Sequence, residues 1–558
     1  MKRRFIASAF HACLVVVLVF TLVFMLEINS VKANPGNIYI RANGIVDPPL
    51  APISNVGNVT YTLTSDITDS IVVQRDNVIL NGAGHKIQGG GFTFSMGVSL
   101  WGRKNVTVEN MVIKSFYYGI DIEYGAMNDK ILGCNIVNNT YAGIFIGSSS
   151  SINVTGNSFS LNVAGMTLAS SPSNNVKANT FDGDGLYVSD SYGNMVDGNT
   201  VNGKPLVYLE KVADRDVTNA GQVILVNCSN IHVENLDLSD TTVGVEMWGT
   251  PDSRVVNNTI INSYNSIWLY GNSSDNFISE NTITNSRNSG IYLAFSSNNN
   301  ITANTVFNSR HDGIALESSS DHNRVTGNNV TNNREYGISV VGSSNNVIYH
   351  NNFVNNTQQA HIEPSPGASN VWNSSYTSGG NYWSNYSVTD ANNDGLGDTP
   401  YAIDANNVDN QPLMGTFNTF NAGTWNGIQY SVDIISKSAL GNFNFYPFAT
   451  PYPELNFTVS GSTGTQGFCR VDIPKAIMWT DTQGQWAIKV GGIVTSADRI
   501  FNTTDTTYLH FTYTHSTKTV QIIGIHAVPE NASDLVLVTL LMTALALTLI
   551  LRRKQKSA

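Results

Sequence analysis

Three arginines, Arg287, Arg310 and Arg334, recur 23 and 24 residues apart, and His311-Asp312 follows the second of them. A guanidinium row suits bidentate carboxylate binding. A His-Asp pair beside it can move a proton, and Arg with His or Tyr supplies the charge neutraliser and base of a lyase or epimerase. The plainer reading gives the same arginines local partners in Asp312, Glu335 and Glu317. Trp248, Trp268, Tyr270 and Tyr292 recur on a similar beat. Their flat rings can pack on sugar C–H faces, or they can lie under a covering loop or domain. Further on, Asp390, Asn392, Asp394 and Asp398 surround Gly395 at the spacing of half a calcium loop. The twelfth position holds Tyr401 where such loops carry Glu, so a hydrogen-bonded Asn/Asp turn competes with calcium here.

These residues need a frame, and the sequence supplies a repeat. Gly119-Ile120, Gly143-Ile144, Gly165-Met166 and Gly185-Leu186 mark successive units, as do Gly244-Val245, Ser266-Ile267, Gly290-Ile291, Gly313-Ile314 and Gly337-Ile338. A second landmark keeps the beat: Asn110, Cys134, Asn157, Asn179, Asn199, then Asn235, Asn258, Asn281, Asn304, Asn328 and Asn351. Two landmarks with one period of about 23 residues are a strong repeat signal. The unit is too short for two packed helices, and residues alternate after each glycine. This predicts one turn of a parallel β-helix per unit, with an Asn ladder along one corner. In that register Trp248, Trp268, Tyr270 and Tyr292 share an outer face, and the three arginines stack about 5 Å apart. The 36 residues between Asn199 and Asn235 read as one enlarged coil with a protruding loop.

The coils, the stretch NGKPLVYLEKV…AGQVILVNCSNIHVENLDLS and the later GGNYWSNY…DANNDGLGDTPY resemble the NosD-type right-handed parallel β-helix family of the pectin-lyase-like superfamily. The resemblance covers roughly residues 68–414 and includes many archaeal surface proteins. It implies the fold, and it brings a role in copper supply as a third functional expectation. The sequence holds no Met-rich or His-rich run for that role.

Length and composition set the outer limits. The 558 residues leave room for roughly two to four domains. Only 13% are charged and the net charge is −11. Eight basic residues sit at the two ends, so the body between them is more acidic still, which excludes a nucleic-acid binder. Four cysteines without close spacing exclude a zinc knuckle or a disulfide-dense scaffold. One disulfide among Cys134, Cys228 and Cys469 stays open.

The expected order is a signal peptide (1–33), an N-terminal cap (34–70), β-helix repeats (71–372) and an Asn/Asp-rich tail (373–414). A membrane-proximal β-sandwich (415–530), a transmembrane helix (535–551) and a basic cytoplasmic tail (552–558) complete it. Lys2, Arg3 and Arg4 before an apolar run, then Val31-Lys32-Ala33, have the order of a secretory signal. Leu535 to Leu551 is uncharged, and Arg552, Arg553, Lys554 and Lys556 follow it. Pro529-Glu530-Asn531 before the span resembles an archaeal sorting motif, Pro-Glu-Phe, with Asn531 in place of Phe. Within the sandwich, Tyr508 to Thr514 and Thr519 to Ile525 read as a hairpin. Fifteen Asn-x-Ser/Thr sequons predict glycosylation of an exported chain.

The expectation is an all-β protein: a parallel β-helix, then a small sandwich, tethered at the cell surface. No complete catalytic set is present. The favoured role is glycan binding, or an envelope or adhesive function, without turnover. The alternative is a polysaccharide lyase, epimerase or hydrolase using Arg310, His311 and Asp312 on an acidic glycan. Binding would fall to Trp248, Trp268, Tyr270, Tyr292, Arg287, Arg334 and Glu317.

Overall fold

The computed structural model describes residues 36–363 and 369–528. The expected signal peptide, transmembrane helix, basic tail and Pro529-Glu530-Asn531 lie outside the described residues. Among the described residues no helix is long and apolar enough to cross a membrane. The chain falls into two compact units that part at Asn179 and Thr180.

In residues 36–179 the repeat winds as stacked coils whose strands form parallel sheets. The glycine-led sheet runs through Met96–Ser99, Tyr118–Ile122, Ala142–Gly147 and Ala164–Ala169. Strands Asn37–Ile40 and Thr60–Leu63 pair parallel with Ser70–Val73 and Ile79–Asn81, so these early residues are already in coil register. Antiparallel strands Val46–Asp47 and Ile53–Val56 lie alongside them.

In residues 180–528 the glycine-led sheet runs from Gln222–Val226 through Val243–Trp248, Asn265–Tyr270, Ile291–Ala294, Ile314–Glu317 and Tyr336–Val341 to Gln358–Glu363. Every second residue points into a column of Ile, Val and Leu, among them Ile267, Leu269, Ile291, Leu293, Ile314 and Leu316. The landmark glycine follows from that packing. A Cβ at Gly313 would lie 2.3 Å from Val330 Cγ1 and 2.7 Å from the Gly337 carbonyl oxygen. Where Ser266 replaces glycine, its hydroxyl is buried and meets Ser286 at 2.7 Å.

The Asn ladder is present in both units. Asn281 donates its backbone N–H and its amide to Asn304 Oδ1, and its amide also reaches the Val255 carbonyl. The column runs Asn258, Asn281, Asn304, Asn328, Asn351 and Asn381. Two expected members are corrected. The rung positions are Met111 and Leu236, which precede their strand as Cys134 and Asn258 do. Asn110 and Asn235 stand one residue earlier, at positive φ (52 and 59). Apolar side chains took the buried slot, and the adjacent Asn serves the left-handed corner. A second inner ladder, Asn276, Asn299, Asn323, Asn346 and Asn370, was not anticipated.

The 199–235 stretch is not a protruding loop. Thr200–Val201 turns back antiparallel onto Lys204–Glu210, which then pairs parallel with Gln222–Val226. Leu206 faces Gln222, so this rung is short. The coil also ends differently from a simple taper. Trp372 and Trp383 are fully buried, and their indole N–H groups donate to Asn407 and Asp409. The GGNYWSNY and DANNDGLGDTPY stretches are thus where the apolar column closes.

Residues 416–523 form two five-stranded antiparallel sheets. Their facing residues include Val432, Phe457, Val471, Leu509, Phe511, Val520 and Ile522. The expected hairpin is corrected: Thr506–Thr514 lies in one sheet and Lys518–Ile523 in the other. Both strands alternate strongly, and facing their apolar sides across the core buries more than pairing edge to edge.

Candidate functional site

The outward residues of the glycine-led sheet in the second unit form two neighbouring rows. One holds Glu246, Trp268, Tyr292, Ala315, Ser339 and His361; the other holds Trp248, Tyr270, Ala294, Glu317, Val341 and Glu363. The strand register therefore brings the four expected aromatics together. Trp248 stacks on Tyr270 with centroids 4.3 Å apart, and Trp268 meets Tyr292 edge-on at 5.9 Å.

Half of this ridge is covered. The segment carrying Leu186–Ser189 lies over its first rungs. Tyr187 stacks on Trp268 at 4.8 Å, and Tyr192 accepts a hydrogen bond from Trp248 Nε1. Leu186–Ser189 is itself a strand, and on the ridge side two side chains bind its backbone. Gln222 accepts from Leu186 N–H at 3.0 Å and donates to its carbonyl at 2.6 Å. The buried Glu246 carboxylate accepts from Val188 N–H at 3.2 Å, and burial pushes its pKa well up. The contacts of Tyr187, Tyr192, Gln222 and Glu246 were not anticipated: Glu246 keeps the regular outward register, and it meets residues 186–192 across the irregular coil between Asn199 and Asn235.

The uncovered rungs carry the acids. The outward row continues past Tyr292 in the buried Ala315 and Ser339, and the Tyr292 hydroxyl donates to Glu317 at 2.8 Å. Tyr336 stacks on His361 at 4.4 Å. Asp312 is 8% exposed, and its Oδ1 has no hydrogen-bond partner. Burial first, then the nearby Glu335 and Glu317 charges, push its pKa up to about 7. Burial likewise raises Glu317. The expected His311-Asp312 pair is corrected: His311 Nδ1 meets Glu335 Oε2 at 3.1 Å. Glu335 is one rung on, and stacking brings it within ion-pair distance.

The arginines stack as expected. Arg310 N–H donates to the Ser286 carbonyl and Arg334 N–H to Ser309, so all three share one rung position. Arg287, Arg310 and Arg334 are exposed. Among the described residues none of the three side chains has an ion pair or hydrogen bond. The proposed local neutralisation is thereby corrected: Asp312 is buried, Glu335 takes His311, and Glu317 takes Tyr292. At about 5 Å in water, each neighbouring pair repels by roughly 0.8 kcal/mol. The row turns the corner into these acid-bearing rungs within three residues of the landmark glycine, a chain span of at most about 10 Å.

The 390–398 loop is closed by its own hydrogen bonds and by an arginine. Asp390 caps the N–H groups of Asp394 and Gly395, and Asp398 accepts from Ala391 N–H. Arg499 donates to Asn392 O and Oδ1 at 2.9 and 2.6 Å and lies 3.5 Å from Asp394 Oδ2. Cys134, Cys228 and Cys469 are buried and free, so the open disulfide is not formed among them.

Two family models tile the coils. A right handed beta helix region matches residues 69–219, and the family described as periplasmic copper-binding protein (NosD) matches residues 209–388. Together the NosD match and the right handed β-helix match span residues 69–388, the stretch that winds as parallel coils. No curated protein matches the chain. Among solved structures, the chain is similar to a mutant of the periplasmic alginate epimerase AlgG. Identity is 16%, over 59% of this chain and 72% of that one, with a TM-score of 0.25. It is similar to the A-module of the Azotobacter vinelandii mannuronan C-5 epimerase AlgE6 at 13% identity, over 56% and 87%, TM-score 0.25. It is also similar to a mutant tailspike of E. coli bacteriophage HK620 in complex with pentasaccharide, at 10% identity over 83% and 80%, TM-score 0.28. Copper does not fit the donors of this β-helix. Among the described residues no three His, Cys, Asp or Glu side chains converge. Among the described histidines of the coils, His85, His232 and His311 lie against Asp66, Asp216 and Glu335, His350 bonds the Ser378 carbonyl, and His361 stacks on Tyr336.

Proposed function

We propose that this β-helix binds an acidic polysaccharide along the Arg287–Arg310–Arg334 row, with the polymer lying across the Tyr292 end of the aromatic ridge. The observation that carries the reading is the row itself. Three exposed guanidinium groups repeat at the coil spacing with no protein carboxylate among the described residues to neutralise them. A uronate chain brings one carboxylate per sugar and relieves that repulsion through charge-assisted hydrogen bonds. Tyr270 and the exposed Phe295 offer ring surface beside it. Titration with polyuronate, and with the same polymer after carboxyl reduction, tests the reading. Binding of the uronate and about tenfold weaker binding by Arg310→Ala support it. Equal binding of the reduced polymer overturns it.

Asp312 favours a second reading, turnover of that glycan. A buried carboxyl with an unpartnered oxygen and a pKa of about 7 can give or take a proton at neutral pH. Cleavage or epimerisation of polyuronate that is lost in Asp312→Asn and His311→Ala would support it. A polymer unchanged in both length and uronate composition after long incubation would leave binding alone.

We also propose that the chain is exported and tethered, on the strength of the apolar and basic segments at its two ends. Protease accessibility on intact cells tests this: full protection of the coils would contradict it. The 390–398 loop is read as a seat for Arg499, so calcium is expected to leave the melting temperature unchanged. A calcium-dependent rise would restore the cation reading.

A further inference from the structure

The first unit carries a different surface on its own glycine-led sheet. The outward row there is Ser99, Asp121 and Phe145, with Glu123 further along the strand. Aromatic side chains bank it on both sides. At the strand start, Tyr117 and Tyr141 stack at 5.0 Å, with Phe94 at 5.4 Å from Tyr117 and Tyr118 against Phe145 at 5.0 Å. At the strand end, Trp101 meets Tyr124 edge-on at 5.2 Å. Phe94, Trp101, Tyr124 and Tyr141 are all exposed, Tyr124 to 68%. So much exposed aromatic surface in one place marks an interaction site.

Between the banks sits an unsatisfied acid. Asp121 is 1% exposed; Trp101 Nε1 donates to its Oδ2 at 2.8 Å, and Oδ1 has no partner. Buried polar groups are otherwise hydrogen-bonded, so Oδ1 is a position for a ligand group. Burial pushes the Asp121 pKa up to about 7, and Glu123 is also raised by burial. Among the described residues no lysine or arginine pairs with either acid; Arg103 is tied to Asp76 at 3.3 Å.

We propose that this face of residues 94–147 binds a neutral saccharide, with sugar rings on the exposed aromatics and a hydroxyl on Asp121 Oδ1. Stacking on C–H faces and hydroxyl-to-carboxyl hydrogen bonds need both features together. A uronate is disfavoured, because two acids and no cation face it. This site is independent of the arginine row and has the opposite charge preference.

The test uses the full chain and a panel of neutral homopolysaccharides: glucan, mannan, galactan and xylan. At least one is expected to bind, and Trp101→Ala and Tyr141→Ala should each weaken it about tenfold. Asp121→Asn, which keeps the shape, should weaken it with an unchanged melting temperature or a higher one. Arg310→Ala should leave it intact. The proposal is overturned if no neutral polymer binds, or if binding survives both aromatic substitutions. It is also overturned if Arg287→Ala/Arg310→Ala/Arg334→Ala abolishes neutral binding. A wild-type chain that binds a neutral polymer but no polyuronate would count against the arginine row and not against this face.

Discussion

Asp312 shows how a single residue in this fold trades stability for availability. Its folded pKa of about 7 lies above that of an unfolded aspartate, so the folded chain holds the proton more tightly. Its contribution is therefore most favourable at low pH and is lost as pH rises from about 4 through 7. Asp312→Asn removes that loss. Its melting temperature should exceed that of the wild type at pH 8, by the equivalent of roughly 1–3 kcal/mol, and converge with it below about pH 3.5. A constant offset across pH would contradict the account. The sequence placed Arg310, His311 and Asp312 side by side, yet could not say which acid His311 would meet. Glu335 lies 24 residues away in the chain and one rung away in space, and only the exact stacking decides that contact. The arginines were legible for the opposite reason: rung period alone fixes their alignment.

At the scale of elements, the amide ladders and the domain junction carry the predictions. Asn304 is fully buried and bonds to both neighbouring rungs. Asn304→Ala leaves several buried groups unpaired and should cost about 2–4 kcal/mol in chemical denaturation. A loss below about 0.5 kcal/mol would mean the ladder is ornamental. Gly313→Ala forces a methyl group against Val330 and the next rung's carbonyl, and should cost about 1–3 kcal/mol. Arg470 is fully buried, forks onto Asp472 at 2.8 and 2.9 Å, and reaches the Asp394 carbonyl at 3.1 Å. It ties the Asn/Asp-rich tail to the sandwich. Arg470→Ala should destabilise by about 3–5 kcal/mol, since it strands the Asp472 carboxylate; a calorimetric scan reads this. The coils were legible because glycine and asparagine mark each rung. The slip at Asn110 and Asn235 was not, since an Asn at a left-handed corner and an Asn in a ladder look alike in sequence. The crossing of Thr506–Thr514 and Lys518–Ile523 into separate sheets was hidden as well. Alternation shows which face is buried but not which strand lies alongside.

For the molecule as a whole, the account rests on a periodic scaffold that repeats chemical groups at the spacing of a polymer ligand. The cationic row of the second unit remains open even though the neighbouring aromatics are half covered by residues 187–192. A covering loop or domain was among the expectations, but residues 187–192 were not legible as the cover, because Leu186–Ser189 reads as an ordinary strand of the glycine-led sheet. The most direct measurement is the affinity for polyuronate of the Arg287→Ala/Arg310→Ala/Arg334→Ala chain beside the wild type, at low and moderate salt. The account predicts wild-type binding that weakens with salt and falls by about a hundredfold or more in the triple variant. Affinity within twofold of wild type in a normally folded triple variant would contradict it.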